Sequence, residues 1–172
     1  MPCRTQSCGR CAKPTSKPIK MKVFLLGILL SITTILYGQD SLLVQSWKTL
    51  TTELRNRVNV AENFGILALS GKLGDTSNVN YLNELCSFLK KNLNKNTLPD
   101  SLLIDSIKTY TLILLGTINR IRLFVDDISV VQTRNEFRVL ENSLAQAGER
   151  ISMISKSYNE RCVMTGRADL IY

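Results

Sequence analysis

An all-α fold, an antiparallel four-helix bundle preceded by an N-terminal membrane-directed apolar segment, is the architecture this sequence predicts. Three observations lead to it. Apolar residues recur at alternating steps of three and four through four separate stretches, the spacing that lines one side of a helix. Short breaks rich in glycine, asparagine and proline divide the stretches, and no strand pattern competes with them. Ahead of all four lies an uncharged run, residues 23–37, with basic residues in front of it. At 172 residues and 44% hydrophobic, the chain can supply the core of one domain. In order come a basic, cysteine-containing leader at 1–20, a signal anchor or signal peptide at 21–38, a helical bundle at 39–160 and a C-terminal tail at 161–172.

The leader carries Cys3, Cys8 and Cys11, spaced like the start of a plant-type iron–sulfur ligand run and loosely like a zinc set. A fourth ligand is missing, and Pro2, Pro14 and Pro18 speak against a local fold, so no metal and no cofactor is expected. Met21-Lys22 stands directly before the apolar run, and translation from Met21 would make the leader an upstream extension. The fifteen residues of 23–37 reach the upper end of a signal-peptide core and fall short of the ~20 that a spanning helix needs. Gly38 suits signal-peptidase cleavage and Leu36 does not. Retention as an anchor is therefore the expectation, and secretion after cleavage near Gly38 is the alternative. Six basic residues before the run place everything from Gln39 onward outside the cytoplasm.

The first helix of the bundle starts at Ser41, with Leu43, Trp47, Leu50, Leu54, Val58, Ala61, Phe64 or Gly65, and Ala68 on its apolar side. Gly71 and Gly74 end it. Trp47 reads as a core residue. Ser77 caps a second helix running to about Lys95, with Leu82, Leu85, Leu89 and Leu93 inward; Lys90, Lys91 and Lys95 complement the negative end of its dipole. Cys86, beside Leu85 and Leu89, reads as a small buried hydrophobe. Thr97 caps the third helix, with Pro99 and Asp100 in its first turn and Leu103, Ile107, Tyr110, Leu114, Ile118, Ile121 and Val125 as its seam. Leu112, Ile113, Leu115, Leu123 and Phe124 widen that seam, so this helix is the most buried of the set or also meets a partner. Asp126, Asp127, Ile128 and Ser129 lead out of it. The stretch from Tyr110 to Gly116 is too short for a membrane span.

The fourth helix is the most regular. Phe137, Leu140, Leu144, Ala147, Ile151, Ile154 and Tyr158 form a narrow seam, and Thr133-x-x-Glu136 ahead of it has the form of a capping box. Beyond Tyr158 the seam is lost and a frayed tail is expected. Cys162 could meet Cys86 if the second and fourth helices are neighbours, and an exported compartment would permit the bond.

Asn135-Glu136-Phe137-Arg138-Val139-Leu140-Glu141-Asn142-Ser143-Leu144, then Glu149-Arg150-Ile151, then Ser157-Tyr158-Asn159-Glu160 resembles the C-terminal helix of the LemA family. Leu54-Arg55-Asn56-Arg57-Val58 with Ala61 resembles that family's first helix. The likeness covers about half of the chain. Glu62 stands where the family has tryptophan, Gly148 where it has glutamate, and an Ile-Pro-Asn-Leu segment after the first helix is missing. The resemblance implies an N-terminal membrane segment followed by an antiparallel helical bundle, in a family without established catalytic residues.

Charge and composition narrow the function further. Of 22 basic residues, six precede Val23 with no acid among them, which leaves sixteen against all 14 acidic ones. The net +8 thus resides mainly in the leader, and no nucleic-acid partner is expected. The chain has no histidine, which removes Ser-His and Cys-His nucleophile pairs and the Glu-x-x-His ligands of bundle di-iron sites. No enzyme activity is expected. The sequence leaves two roles: a membrane-anchored bundle working by contact with a cell-envelope protein, or a secreted bundle that binds a small or lipid ligand between its helices. Oligomeric state is open.

Overall fold

The computed structural model describes residues 19–71, 76–94, 97–125, 128 and 130–172, without the side chains of residues 19–40. Among the described residues there are four α-helices, one 3-10 turn and no strand: α1 Ile19–Ser70, α2 Thr76–Leu93, α3 Ser101–Arg122, α4 Val131–Met164 and the turn Ala168–Leu170. The chain divides into two units, Met1–Tyr37 and Gly38–Tyr172. Of the first, the described part is the helical backbone of residues 19–37. The cysteine spacing at Cys3, Cys8 and Cys11 lies outside the described residues. The second unit holds the helical core.

Helical backbone begins at Ile19, not at Ser41, so Gly38 and Gln39 fall inside α1. A lone glycine costs a helix only about 1 kcal/mol, and no proline interrupts residues 19–70. The predicted apolar side of α1 is the buried one: Leu43, Trp47, Leu50, Leu54, Val58, Ala61, Phe64 and Ala68 are all at or below 3% exposure. Gly65 is buried too, because α2 crosses close by. A Cβ there would stand 3.2 Å from Asn83 Oδ1 and 3.3 Å from a Leu82 methyl.

In α2, Leu82, Leu85, Leu89 and Leu93 face inward as the spacing predicts, joined by Val79 and Cys86. The helix starts at Thr76, one residue before Ser77. Lys90 is not merely solvated: its ammonium reaches across to Glu62 of α1 at 2.5 Å.

The start of α3 corrects the sequence reading. Asp100, not Thr97, is the cap, and its Oδ1 accepts from the Leu103 N–H at 2.7 Å. Proline before the cap keeps residue 98 out of helical geometry, so the chain turns helical only after Asp100. The seam rotates accordingly. Ile104, Ile107, Thr111, Leu114, Thr117, Ile118 and Ile121 are buried, whereas Leu103 and Tyr110 are half-buried and Leu112 is 70% exposed. The helix closes at Arg122, before Val125, through tightening bonds from Phe124 N–H to Ile121 O and from Val125 N–H to Arg122 O. By length and composition Ser101–Arg122 could cross a bilayer, but Ile104, Ile107, Leu114, Ile118 and Ile121 commit its apolar side to the protein's own core.

The capping box of α4 is not made. The helix opens at Val131 with Val130 as a cap that contributes no side-chain bond, which puts Thr133 already in helical geometry. A Ser or Thr cap needs extended backbone to reach forward to the free donors. The entry is tied instead by the Arg134 guanidinium, which donates to Ile128 O, and Glu136 takes a 3.4 Å bond from Gln132. Phe137, Leu144, Ala147, Ile151 and Tyr158 are buried as predicted, while Leu140 and Ile154 are partly buried at its margin.

The tail is ordered by contacts, contrary to the frayed end expected. α4 runs on to Met164, Cys162 is fully buried, and Gly166 takes the left-handed φ of 70° that lets the chain reverse. Leu170 is fully buried in the core that all four helices share. Residue pairs across α1 and α4 fall on one helix as they rise on the other: Leu42 with Arg161, Trp47 with Tyr158, Glu53 with Arg150, Phe64 with Phe137.

Candidate functional site

The residues singled out in the sequence meet along the line where α1 faces α4. Leu54 and Val58 of α1, and Phe137, Leu144, Ile151 and Tyr158 of α4, belong to one buried cluster, with Leu140 packed against it. Phe137 meets Phe64 edge to face, with ring centroids 4.9 Å apart and planes at 74°. Tyr158 meets Trp47 at 5.4 Å. Trp47 is thus a core residue, as expected.

The polar members of the set work beside this seam. Arg150 Nε donates to Glu53 Oε2 at 3.0 Å, an ion pair between α4 and α1. Arg55 reaches back to Asn94, at 3.4 Å, near the end of α2. Arg57 points toward α4 and the tail. Its Nε is buried without a hydrogen-bond partner, and burial lowers its pKa, with the nearby Tyr172 opposing that shift. Gly148 makes the room: a Cβ there would lie 3.0 Å from Arg57 Nη2. Asn159 holds the tail through both ends of its amide, donating to Tyr172 O at 2.7 Å and accepting from Tyr172 N–H at 2.8 Å. The Tyr172 hydroxyl in turn bonds Thr111 of α3, and burial raises its pKa.

The titratable groups in the interior are held in their neutral forms. Burial pushes the Cys86 thiol up to about 12, with the Glu62 charge adding to the shift. Its Sγ–H donates to Val58 O at 3.8 Å. Cys162 is also raised by burial, and its Sγ lies 3.6 Å from Leu170 O. Each thiol is free, so the Cys86 to Cys162 bond is not formed. Tyr158 is raised by burial and by its Cys162 neighbour, and its hydroxyl makes no bond of ordinary geometry because a thiol sulfur is a weak acceptor. A thiol kept protonated is a poor nucleophile and a poor metal ligand. Among the described residues, no group of three or more Cys, Asp or Glu side chains could hold a metal ion.

Two open grooves flank the α1–α4 seam. One, about 430 Å³, is lined mainly by Ile66, Leu67, Val139 and Leu140, with Asn63, Ser70 and Glu136 at its edges. The other, about 410 Å³, lies among Leu42, Ser157, Glu160, Arg161, Met164 and Thr165. Exposed apolar side chains border both: Ile66 and Val139 at the first, Leu42 and Met164 at the second. Sequence periodicity misses these residues because it reports the side that is buried. It also misses the tail, whose only signal is the apolar run Leu170-Ile171-Tyr172 after a glycine. No family model, curated protein or solved structure matches this chain.

Proposed function

We propose that this chain is a LemA-like protein of the bacterial cell envelope: an antiparallel four-helix bundle, anchored by residues 23–37, that acts through contact with another envelope protein and carries out no catalysis. One observation carries the reading. The LemA-like residues on α1 and α4 join those two helices, through the Phe64–Phe137 contact, the Glu53–Arg150 pair and the buried Leu54, Val58, Leu144 and Ile151. They build a scaffold rather than a reaction centre, and what remains for function is surface. Ile66, Leu69, Val131 and Val139 near one end, and Leu102, Leu112 and Leu123 along α3, are exposed apolar side chains of the kind that partner proteins cover.

A membrane partner for residues 23–37, and the outside location of the bundle, follow from the uncharged run and the six basic residues before it. The apolar lining of the groove at Ile66 and Val139 favours a second reading, a secreted bundle that takes a small or lipid ligand, although that groove lies between α1 and α4 on the outside rather than within the core. A reporter fused after Tyr172 separates inside from outside. Alkaline phosphatase activity, with protease access in intact spheroplasts, is the expected result. A fluorescent protein that matures in the cytoplasm and stays protected would contradict the location and with it the envelope partner.

A further inference from the structure

The tail is gripped along its backbone. Three successive carbonyls are each held by a side chain of α3 or α4: Leu170 O by Cys162 Sγ at 3.6 Å, Ile171 O by Lys108 Nζ at 2.8 Å, and Tyr172 O by Asn159 Nδ2 at 2.7 Å. Asn159 Oδ1 also accepts the Tyr172 N–H at 2.8 Å. Leu170 fills a fully buried position beneath, and the Tyr172 ring reaches Thr111 with Arg57 nearby. Helix side chains that bond the backbone of an extended segment, with buried positions for its side chains, form a peptide-binding groove. None of the gripping side chains belongs to the tail itself. The same bonds are open to any chain that presents the same three residues.

The connection supports exchange. Residues 167–170 hold themselves together through the Arg167–Asp169 ion pair and the Leu170 N–H bond to Arg167 O at 3.0 Å, so they can move as a unit. They join α4 through Gly166, whose φ of 70° is a conformation glycine leaves at little cost. The bond that opening must break at this joint is Arg167 N–H to Cys162 O, 2.7 Å.

We propose that the groove formed by Lys108 and Thr111 of α3 with Asn159 and Cys162 of α4 is an exchangeable peptide site, and that its partner is residues 167–172 of a second copy of this chain. Each copy then fills the other's groove with bonds identical to those of the closed form, which gives a closed two-fold dimer. The closed monomer holds the advantage of a short tether, worth an effective concentration in the millimolar range, so micromolar protein stays monomeric until the hinge is biased.

Gly166→Ala supplies that bias, because alanine resists the left-handed hinge needed by the closed form and not by an opened one. The strain corresponds to about a five- to thirtyfold shift. Sedimentation of the full chain in detergent, as parent, Gly166→Ala and Gly166→Ala with Asn159→Ala, reads the result. Dimerisation tightened by that factor in Gly166→Ala, and abolished when Asn159→Ala is added, is expected. Equal association of parent and Gly166→Ala, or a dimer indifferent to Asn159→Ala, overturns the proposal. A second measurement needs no variant. A synthetic peptide of residues 167–172, with a photoreactive group at the Ile171 position, should label the unmodified chain beside Lys108 or Asn159, and labelling elsewhere or none at saturating peptide rejects the site.

Discussion

Replacing Phe137 by alanine removes the ring that ties α4 to α1, and the structure sets the size of the effect. Phe137 is fully buried, as is Phe64, whose ring it meets at 4.9 Å and 74°. Deleting a buried aromatic ring costs about 3–5 kcal/mol through lost transfer energy and the cavity left behind. Small domains have only about 5–15 kcal/mol in total, so the variant should keep its helices but unfold at much lower urea. Phe64→Ala alone should cost a similar amount. The pair separates contact from burial, because an edge-to-face pair contributes about 0.5–1.5 kcal/mol beyond the area it buries. Urea unfolding of the parent, both single variants and the double variant, followed by far-UV circular dichroism, gives the coupling energy. A coupling of at least about 0.5 kcal/mol is predicted. Strict additivity, or a loss under about 1 kcal/mol for Phe137→Ala, would mean that the two rings do not meet and that the α1–α4 seam is wrongly drawn.

Other consequences are simpler to state. Leu144→Asp puts a charge with no partner at a position 7% exposed, and a loss of about 3–5 kcal/mol is expected in thermal unfolding; parental stability would exclude Leu144 from the core. Gly148→Ala brings a methyl to 3.0 Å from the flexible end of Arg57, so a loss below about 1 kcal/mol is expected, and a larger one would show that Arg57 cannot move aside. Alkaline pH should weaken the fold. The Cys86 thiol ionises near its ordinary 9.0 when unfolded and near 12 when folded, so its stabilisation is complete below pH 9 and lost as pH rises toward 12. Cys86→Ala should flatten that decline by up to about 1.4 kcal/mol per pH unit, and an unchanged slope would exclude Cys86 as its cause.

The helices most legible in the sequence are those with a single apolar stripe. On α1 the spacing from Leu43 to Ala68 selects the buried side without error, and on α4 the same holds from Phe137 to Tyr158. On α3 apolar residues occupy too many directions for spacing to fix the phase, so it points Leu103 and Tyr110 inward where Ile104 and Thr111 sit. The cap motifs mislead because several residues near each helix start can cap, and tertiary contacts choose among them. Arg134 on Ile128 O makes the Thr133 box unnecessary, and Asp100 displaces Thr97. Local pattern is equally blind to the pairing of Lys90 with Glu62, to Gly148 beneath Arg57, and to the tail bonded by Asn159. Each joins residues from separate elements, and a one-dimensional period carries no signal for them.

The central claim, a retained anchor with a contact-making bundle beyond it, turns on the fate of residues 21–38. Protein recovered from cells should be washed with alkaline carbonate, and its intact mass and N-terminal sequence determined. A chain that stays with the membrane pellet and begins at or before Met21, with residues 23–37 intact, is the predicted result. A chain that begins at Gln39 and leaves with the soluble fraction would contradict it.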